Sequence, residues 1–258
     1  MTADDAAAPL YEAIGVGYAR RRQPDPRIAA QIHGHLGPAN ERPHVLNVGA
    51  GAGSYEPDDR RVTAVEPSPR MIAQRPGTAT REVVRAVAGT LPFPDGTFDA
   101  ATALLTVHHW PDIDAGLAEV RRVTAGPVVL FTFDYAVHGR QWLVTDYFPE
   151  MLQFDVDLPA PAALAEALGG GTVEVVTVPR DCTDGFMHAW WCRPEAYLDP
   201  GVRAAISGLA RLPDDVAAAG VERLRDDLAT GAFGERHADL LARDAIDAGY
   251  RLVVSPGA

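Results

Sequence analysis

Glycines at every second position follow an apolar run of the sequence, at Gly49, Gly51 and Gly53. Because glycine has no side chain, a nucleotide-like ligand can touch the backbone there, and the positive φ angles of a sharp turn cost little. A second apolar run ends in a carboxylate, Glu66, thirteen residues after Gly53. At the tip of a neighbouring parallel strand, this acid can accept hydrogen bonds from both hydroxyls of a ribose. The spacing predicts an enzyme that binds a nucleoside-containing cofactor.

The residues around the glycines distinguish between cofactors. A dinucleotide fingerprint has a third glycine where this sequence has Ser54, so the glycines are more similar to motif I of the class I S-adenosylmethionine-dependent methyltransferases. The segment 86–100, which contains Leu-Pro-Phe-Pro-Asp-Gly, resembles that family's stretch beside the adenine followed by its fourth strand. Glu66, with Pro67 and Met71 after it, resembles motif II, in which the acid binds ribose and the next side chains flank adenine.

The resemblance implies S-adenosylmethionine as the cofactor and S-adenosylhomocysteine as its product. In the family an N-terminal helix folds over the methionine half of the cofactor, where an arginine can pair with the carboxylate. Val87 stands where an aspartate often lies beside the adenine amine, so the N–H of Ala88 is expected to bond the ring instead. The residues expected to bind the cofactor are Tyr18, Arg22, Gly49, Ala50, Gly51, Gly53, Glu66, Pro67, Met71, Ala88, Leu105 and Thr106. A solvated helical face is the alternative reading of Arg20-Arg21-Arg22.

Two histidines follow the fourth predicted strand, where the resemblance places the reacting methyl group. Histidine is nearly neutral at cellular pH and can take a proton from a hydroxyl or amine as it attacks the methyl carbon. His108 and His109 are therefore candidate bases, with His108 preferred, and only one is expected to reach the substrate because successive extended residues point oppositely. Asp134, at the end of the fifth predicted strand, is a third catalytic candidate. The structural alternatives are rings that only pack, and a capped loop at Asp134.

A segment rich in aromatic and polar side chains, residues 181–195, is the candidate substrate wall. Adjacent tryptophans diverge by about 100° on a helix, so one of Trp190 and Trp191 can face a ligand while the other packs. A carboxylate substrate could meet the basic side chains of this segment. The predicted substrate-binding residues are Tyr11, His188, Trp191 and Arg193.

The alternation of apolar runs and helical periodicity predicts a doubly wound α/β fold with a seven-stranded, mostly parallel sheet and an inserted helical cap. Strands are predicted near 44–48, 62–66, 83–87, 99–105, 127–133, 173–178 and 250–254, with helices after the first, second, fourth and fifth. The long connection between the last two strands is expected to close over a substrate. The predicted divisions are 1–43, N-terminal helices covering the cofactor site; 44–178, the methyltransferase core; 179–248, the cap; and 249–258, the last core strand.

Composition narrows the class of protein. The 258 residues carry 23 Lys and Arg against 35 Asp and Glu, a net charge of −12 that disfavours a nucleic-acid partner. Two cysteines, Cys182 and Cys192, are too few for a disulfide scaffold and lack the partners of a metal site. The sequence has neither a secretory signal pattern nor an apolar run long enough to cross a membrane. A cytoplasmic protein is therefore expected. It is expected to be a monomer or homodimer that acts on a small molecule.

These observations predict methyl transfer to an O, N or C atom of a small molecule, by in-line displacement assisted by a base. One alternative keeps the cofactor but uses it for cyclisation or aminocarboxypropyl transfer. Another is a non-catalytic module that only binds the cofactor. A nicotinamide dehydrogenase is disfavoured by Ser54 and by the segment 91–95.

Overall fold

A seven-stranded sheet forms the centre of the computed structural model, which describes residues 22–41, 43–75 and 81–257. In chain order the strands are β1 His44–Val48, β2 Arg61–Val65, β3 Arg81–Val84, β4 Ala100–Leu104, β5 Val128–Phe133, β6 Thr172–Pro179 and β7 Ala245–Ser255. Their order across the sheet is β3-β2-β1-β4-β5-β7-β6. Only β7 is antiparallel to its neighbours, so the predicted mostly parallel, doubly wound α/β sheet is confirmed.

Helices surround this sheet, and none of those in the described ranges is long and apolar enough to cross a membrane. The α-helices there are α1 Pro26–His33, α2 Pro69–Ala73, α3 Ile113–Val123, α4 Tyr135–His138, α5 Pro161–Ala167, α6 Pro200–Ala204, α7 Ser207–Ala210, α8 Asp214–Thr230, α9 Ala232–Arg236 and α10 Ala238–Leu241. Short 3-10 turns lie at Ala39–Glu41, Val107–His109, Pro149–Gln153 and Pro194–Leu198, and a π turn at Leu143–Tyr147.

α1 begins at Pro26, within the predicted N-terminal helical division 1–43. Asp25 caps the helix by accepting a hydrogen bond of 3.0 Å from the Arg27 N–H, and Pro26 occupies the first helical position, where its missing N–H costs nothing. The buried face of α1 presents Ile28 and Ile32 to the sheet.

Hydrophobic core covers both faces of the sheet, because successive side chains of β1 point to opposite faces and both sets are buried. Val45 belongs to one hydrophobic cluster with Ile32 of α1, and Leu46 belongs to another with Leu117 of α3. A strand whose successive side chains enter two different cores must be covered by helices on each side, as in other parallel sheets.

The helix predicted after the first strand is absent, so that prediction is wrong. Residues 49–60 form consecutive turns and bends instead. Besides the glycines, Tyr55 has a positive φ of 64°, which is incompatible with a right-handed helix, and Pro57 has no N–H to continue one. The helices predicted after the second, fourth and fifth strands are present as α2, α3 and α4.

The last two strands are longer than predicted, since β6 continues to Pro179 and β7 begins at Ala245 rather than at 250. The helices between them share a third hydrophobic cluster, the cap cluster, whose buried members come from two stretches, 142–151 and 197–233. The first stretch follows β5, so the connection after β5 contributes to the cap cluster as much as the predicted insertion does. Gly220 of α8 permits this packing, because a Cβ there would lie 2.4 Å from the Phe148 ring.

Candidate active site

The loop after β1 forms one wall of a cleft, the glycine-loop cavity, which holds about 1120 Å³ including its open mouth. Gly49, Gly51 and Gly53 have φ values of +66°, +52° and +91°, a region that side chains rarely adopt. A Cβ at Gly49 would lie only 2.0 Å from Oγ1 of Thr106, so the loop can approach the end of β4 only because this residue is glycine.

Ten of the predicted cofactor-binding residues line this cavity. They are Arg22, Gly49, Ala50, Gly51, Glu66, Pro67, Met71, Ala88, Leu105 and Thr106. Gly53 does not line it and instead lies behind the loop, and Tyr18 lies outside the described residues.

Glu66 follows β2 and points to the same cavity as the glycine loop. Its Oε2 accepts a hydrogen bond of 2.8 Å from the Gly51 N–H, and its Oε1 accepts one of 2.9 Å from the Ser68 N–H. Burial raises the pKa of Glu66, and these two N–H donors oppose that rise. A carboxylate has about four lone-pair positions, so each oxygen can still accept a bond from a ligand hydroxyl.

The lining of the glycine-loop cavity also includes a set of apolar residues. Val87, Ala88, Trp110 and Pro111 line it. The Trp110 ring packs on Gly116 of α3, where a Cβ would come within 2.4 Å of it. Trp110 was not among the predicted site residues, although its place directly after the two histidines could have indicated a role in the site. These side chains can provide apolar contacts for a planar ring such as adenine.

A strained turn carries the two histidines from β4 into a second cleft. Leu105 has a φ of +53°, which is unfavourable for a leucine, and the 3-10 turn Val107–His109 follows it. Such strain clusters at functional sites, where the surrounding structure holds it. Here it places both His108 and His109 beside open space.

This second cleft, the histidine cavity, encloses about 780 Å³ including its mouth and adjoins the glycine-loop cavity. Both cavities are lined by Arg22, Leu105 and His109, whereas His108 lines only the histidine cavity. The prediction preferred His108 and expected only one ring to reach the substrate because it assumed an extended backbone; in the 3-10 turn both rings line the histidine cavity, with centroids 3.8 Å apart.

Three histidines, His108, His109 and His138, line this cavity and His188 lies behind His138, and burial keeps all four rings neutral. His138 stacks on Phe133 with ring centroids 4.5 Å apart and meets His188 at 4.2 Å. Burial lowers the pKa of His108 to about 3 and that of His138 to about 4, and it lowers the pKa values of His109 and His188 well below the ordinary value. His138 was not a sequence-based candidate, because it lies on a helix 30 residues after His108.

A buried carboxylate connects the N-terminal segment to the connection after β6. Asp184 is fully buried and accepts bonds of 2.7 Å from Nε of Arg22 and 2.8 Å from the hydroxyl of Tyr55. The Arg22 side chain is only 11% exposed, so it does not belong to a solvated face. Sequence reasoning missed both Asp184 and Tyr55, since nothing in the local pattern indicates contacts across 162 residues.

Of the remaining candidates that the structure describes, none lines either cavity. Asp134 caps α4 by accepting a bond of 3.0 Å from the Ala136 N–H. Trp191 is buried and donates to the Val178 carbonyl, and Arg193 donates to the carbonyls of Cys182 and Ala189. His188 contacts the His138 ring but does not itself line the histidine cavity, and Tyr11 lies outside the described residues.

No group of three or more His, Cys, Asp or Glu in the described ranges is arranged to hold a metal ion.

Comparison with known proteins places these features in a family. A model described as a methyltransferase domain matches residues 46–132. A solved structure from Anabaena variabilis ATCC 29413, assigned as a methyltransferase of an antibiotic biosynthesis pathway, is 30% identical, with a TM-score of 0.86 over 91% of this chain and 98% of that chain.

Two curated relatives are similar over shorter stretches. The demethylmenaquinone methyltransferase of Thermobifida fusca (strain YX) is 39% identical over 103 residues, which cover 35% of this chain and 44% of that protein. The uncharacterized methyltransferase YcgJ of Bacillus subtilis (strain 168) is 31% identical over 116 residues, which cover 41% and 42%. The matches thus span less than half the length of either relative.

The cofactor of this family, S-adenosylmethionine, fits the residues present. Its adenosine needs an apolar surface, an acceptor for ribose hydroxyls and bare backbone, which Trp110, Glu66 and the glycine loop provide. The similarity to the Anabaena protein runs along nearly its whole length, and the family model covers the strands that carry the glycine loop and Glu66. This chain therefore belongs to the class I S-adenosylmethionine-dependent methyltransferases.

Proposed function

We propose that the protein transfers the methyl group of S-adenosylmethionine to an O, N or C atom of a small molecule and releases S-adenosylhomocysteine. The observation that carries the proposal is the junction of two cavities at Leu105, His109 and Arg22. One cavity has the features that fit the cofactor, and the other is a separate space for an acceptor. A donor and an acceptor held in adjoining clefts can react without meeting in solution.

The chain's own contribution is chiefly alignment. The cofactor supplies a methyl group that is already activated by the positive charge on its sulfur. Glu66 and the glycine loop hold the adenosine, and the turn at Leu105 holds the wall between the two cavities. Correct orientation alone can contribute about 7–11 kcal/mol to lowering a barrier.

The histidines at the junction receive the acceptor. A neutral imidazole can accept a hydrogen bond from a hydroxyl or amine, and at His108 and His109 burial keeps the rings neutral throughout the physiological range. A base with so low a pKa removes protons weakly, since effective bases have pKa values near the working pH. We therefore assign His108 first to positioning the acceptor and only then to receiving its proton.

The open histidine cavity supports an enzyme over a module that only binds the cofactor. In a sensor, the cap would fill the space beside the reacting group. Here that space is bordered by side chains of the cap cluster, such as Met151 and Ile206, and remains large enough for a small molecule.

The test is incubation of cell extract with the purified protein and S-adenosylmethionine labelled in its methyl group. We expect a labelled product and an equal amount of S-adenosylhomocysteine, both measured by mass spectrometry. Methylthioadenosine in place of S-adenosylhomocysteine would select cyclisation or aminocarboxypropyl transfer instead. Binding of the cofactor without turnover in any extract would select the sensor. Gly49→Ala is the negative control, because the added Cβ would collide with Thr106 and disturb the loop that holds the cofactor.

A further inference from the structure

The walls of the histidine cavity are aromatic, aliphatic and thioether side chains. Phe133, Phe154 and Phe186 line it together with Met151, Met187 and Ile206. Aromatic rings and methionine sulfurs both stabilise a planar ring placed between them, with about 0.5–1.5 kcal/mol for each good contact. The chemistry of these walls favours a planar, largely apolar acceptor.

Most polar groups that line the cavity are already engaged. The Tyr135 hydroxyl donates to the backbone carbonyl of Leu152. Asp155 accepts a bond of 2.9 Å from Arg211, whose guanidinium lies 4.2 Å from the centre of the Phe154 ring. This leaves the histidine rings as the principal polar contacts for an acceptor.

Nδ1 of His108 is buried and has no hydrogen-bond partner among the residues that the structure describes. An unpartnered polar atom in an apolar site costs about 1–3 kcal/mol. Since burial leaves Nδ1 without a partner, Nε2 is the ring nitrogen left for a ligand in the cleft, and a hydrogen bond there would fix the tautomer.

The charges around the cavity exclude a cationic acceptor. Asp155 is the only acidic residue that lines it in the described ranges, and its charge is balanced by Arg211. Arg22 lines the cavity as well, and the bound cofactor adds a positive sulfonium. Because Asp184 balances Arg22 and Arg211 balances Asp155, an ammonium group would lie beside the sulfonium in an apolar site without an unbalanced carboxylate.

The low basicity of the histidines distinguishes between hydroxyl groups. Burial holds the pKa of His108 at about 3, so the ring cannot draw a proton from an alcohol, whose acidity is close to that of water. A phenol loses its proton at about pH 10, nearly six units below bulk water. A neighbouring sulfonium favours the phenolate further. A phenolic hydroxyl can therefore be methylated without a strong base, provided that the site orients it.

We propose that the acceptor is a planar aromatic compound with a phenolic hydroxyl, methylated on that oxygen, an inference that rests on the proposed function. The phenolic oxygen forms the new bond to the methyl carbon, and the electron pair of the broken carbon–sulfur bond stays on sulfur. The hydroxyl proton is released to water at the mouth of the cavity as the oxygen attacks, while the histidine keeps the oxygen in position. The products are an aryl methyl ether, S-adenosylhomocysteine and one proton.

The first experiment compares three probes that share a naphthalene ring: 2-naphthol, and 2-naphthalenemethanol and 2-(aminomethyl)naphthalene, which each add one methylene. Calorimetry on protein saturated with S-adenosylhomocysteine measures their binding, and labelled methyl transfer measures turnover. We expect 2-naphthol to bind at least tenfold more tightly than the other two and to be methylated at least a hundredfold faster. Preferential binding or methylation of the alcohol or of the cationic amine would overturn the inference.

The second experiment asks whether His108 makes the contact. His108→Phe keeps a ring of similar size, and His108→Gln keeps a polar group, so at least one variant is expected to fold. Both should weaken 2-naphthol binding about tenfold or more and leave the dissociation constant of S-adenosylhomocysteine within twofold. The matched control is His35→Phe, because His35 lies outside both cavities and pairs with Glu174. Unchanged naphthol binding in both His108 variants would contradict the inference.

Failure of the inference can be separated from failure of the proposed function. The labelled product from cell extract identifies the bond that was made. A label in an aryl methyl ether supports the inference. A label in an N-methyl, C-methyl or alkyl ether product overturns the inference but retains methyl transfer. A complete absence of labelled product, with the cofactor bound, overturns the proposed function itself.

Discussion

Arg75 forms a two-point ion pair with Glu56 behind the glycine loop, with Nη2 lying 2.6 Å from Oε1 and 2.7 Å from Oε2. The pair is almost completely buried, at 5% and 1% exposure of the two side chains. Asn47 at the end of β1 donates to Oε1 of Glu56, and Nη1 of Arg75 donates to the Gly51 carbonyl at 3.2 Å. The ion pair therefore fixes the loop where the helix predicted after β1 is absent.

Glu56→Gln should destabilise the protein and weaken cofactor binding together. The substitution leaves the Arg75 guanidinium buried without its counter-charge, which typically costs about 3–5 kcal/mol. Urea unfolding should show that loss in the free energy of unfolding, and calorimetry should show at least a tenfold weaker binding of S-adenosylmethionine. Glu222→Gln is the control, since Glu222 pairs with Arg225 on an exposed face of α8. A loss in Glu56→Gln no larger than in this control would contradict the role assigned to the pair.

Gly49→Ala should abolish cofactor binding because its Cβ collides with Thr106. Backbone strain at positive φ adds a cost of about 1–2 kcal/mol on its own. Gly231→Ala isolates this strain, because Gly231 has a φ of +83° and an open space around its Cβ position. The measurements are calorimetry with S-adenosylmethionine and urea unfolding. If both variants lose equal stability and both retain binding, the close approach at Gly49 has no functional consequence.

Glu66→Gln should weaken S-adenosylmethionine about tenfold or more while the fold is retained. Glutamine keeps one oxygen but presents an amide N–H₂ towards the N–H of Gly51 or Ser68, so two donors face each other. Glu82→Gln on β3 is the matched control, since Glu82 is exposed and lies outside both cavities. Equal affinities of Glu66→Gln and the wild type would remove Glu66 from the cofactor site.

The same carboxylate predicts a dependence of affinity on pH. Burial raises the pKa of Glu66 above the ordinary glutamate value, and ribose hydroxyls bind best to the ionised form. The affinity for S-adenosylmethionine should therefore fall as the pH decreases through the raised pKa. In Glu66→Gln this fall should be absent. Calorimetry over a pH series in both proteins checks the difference, and parallel curves would assign the dependence to another group.

The glycine loop and Glu66 could be predicted because each depends on a short stretch of sequence and on one regular relationship. β1 and β2 pair in parallel with Val48 opposite Val65, so the residues that follow them necessarily meet at one edge. The two histidines were found in the same way, from their place directly after β4. The local sequence pattern was sufficient to predict a site residue wherever that residue directly follows a strand.

Arg75 and Asp184 could not be predicted, since their partners are set by tertiary packing. Arg75 reaches Glu56 only because residues 49–60 fold as turns, and this depends on the positive φ of Tyr55, which the residue type does not reveal. Asp184 lies 162 residues from Arg22. For the same reason, only part of the cap cluster was predicted. Its stretch 142–151 follows β5 in the chain and was not assigned to the cap, because it joins the cluster through non-local contacts.

Asp184→Asn should weaken the binding of both cofactor and acceptor, because Asp184 holds Arg22 at the junction of the two cavities. Loss of one partner of a buried charge pair typically costs about 3–5 kcal/mol. Tyr55→Phe removes the hydroxyl bond to Asp184 and the acceptor of the Asp25 N–H, and should cost about 1 kcal/mol for each bond. The control is Asp181→Asn, whose carboxylate is 74% exposed. A double-mutant cycle of Arg22→Ala and Asp184→Asn, read by urea unfolding, should show strong coupling, and additive effects would refute the contact.

The buried histidines should make the protein less stable in acid than its carboxylates alone would. Burial lowers the pKa of His138 from 6.5 to about 4 in the folded chain. Between pH 6.5 and about pH 4, the unfolded chain therefore binds a proton at this histidine that the folded chain does not bind. The contribution of the neutral ring to the free energy of unfolding is fully present above pH 6.5 and is lost as the pH falls to about 4. Each such histidine contributes up to about 1.4 kcal/mol per pH unit. His138→Phe, which can still stack on Phe133, should flatten the decrease in the free energy of unfolding between these limits, whereas His35→Phe should leave it unchanged. Urea unfolding over a pH series measures the slopes, and an unaltered slope in His138→Phe would show that this ring is protonated in the folded protein.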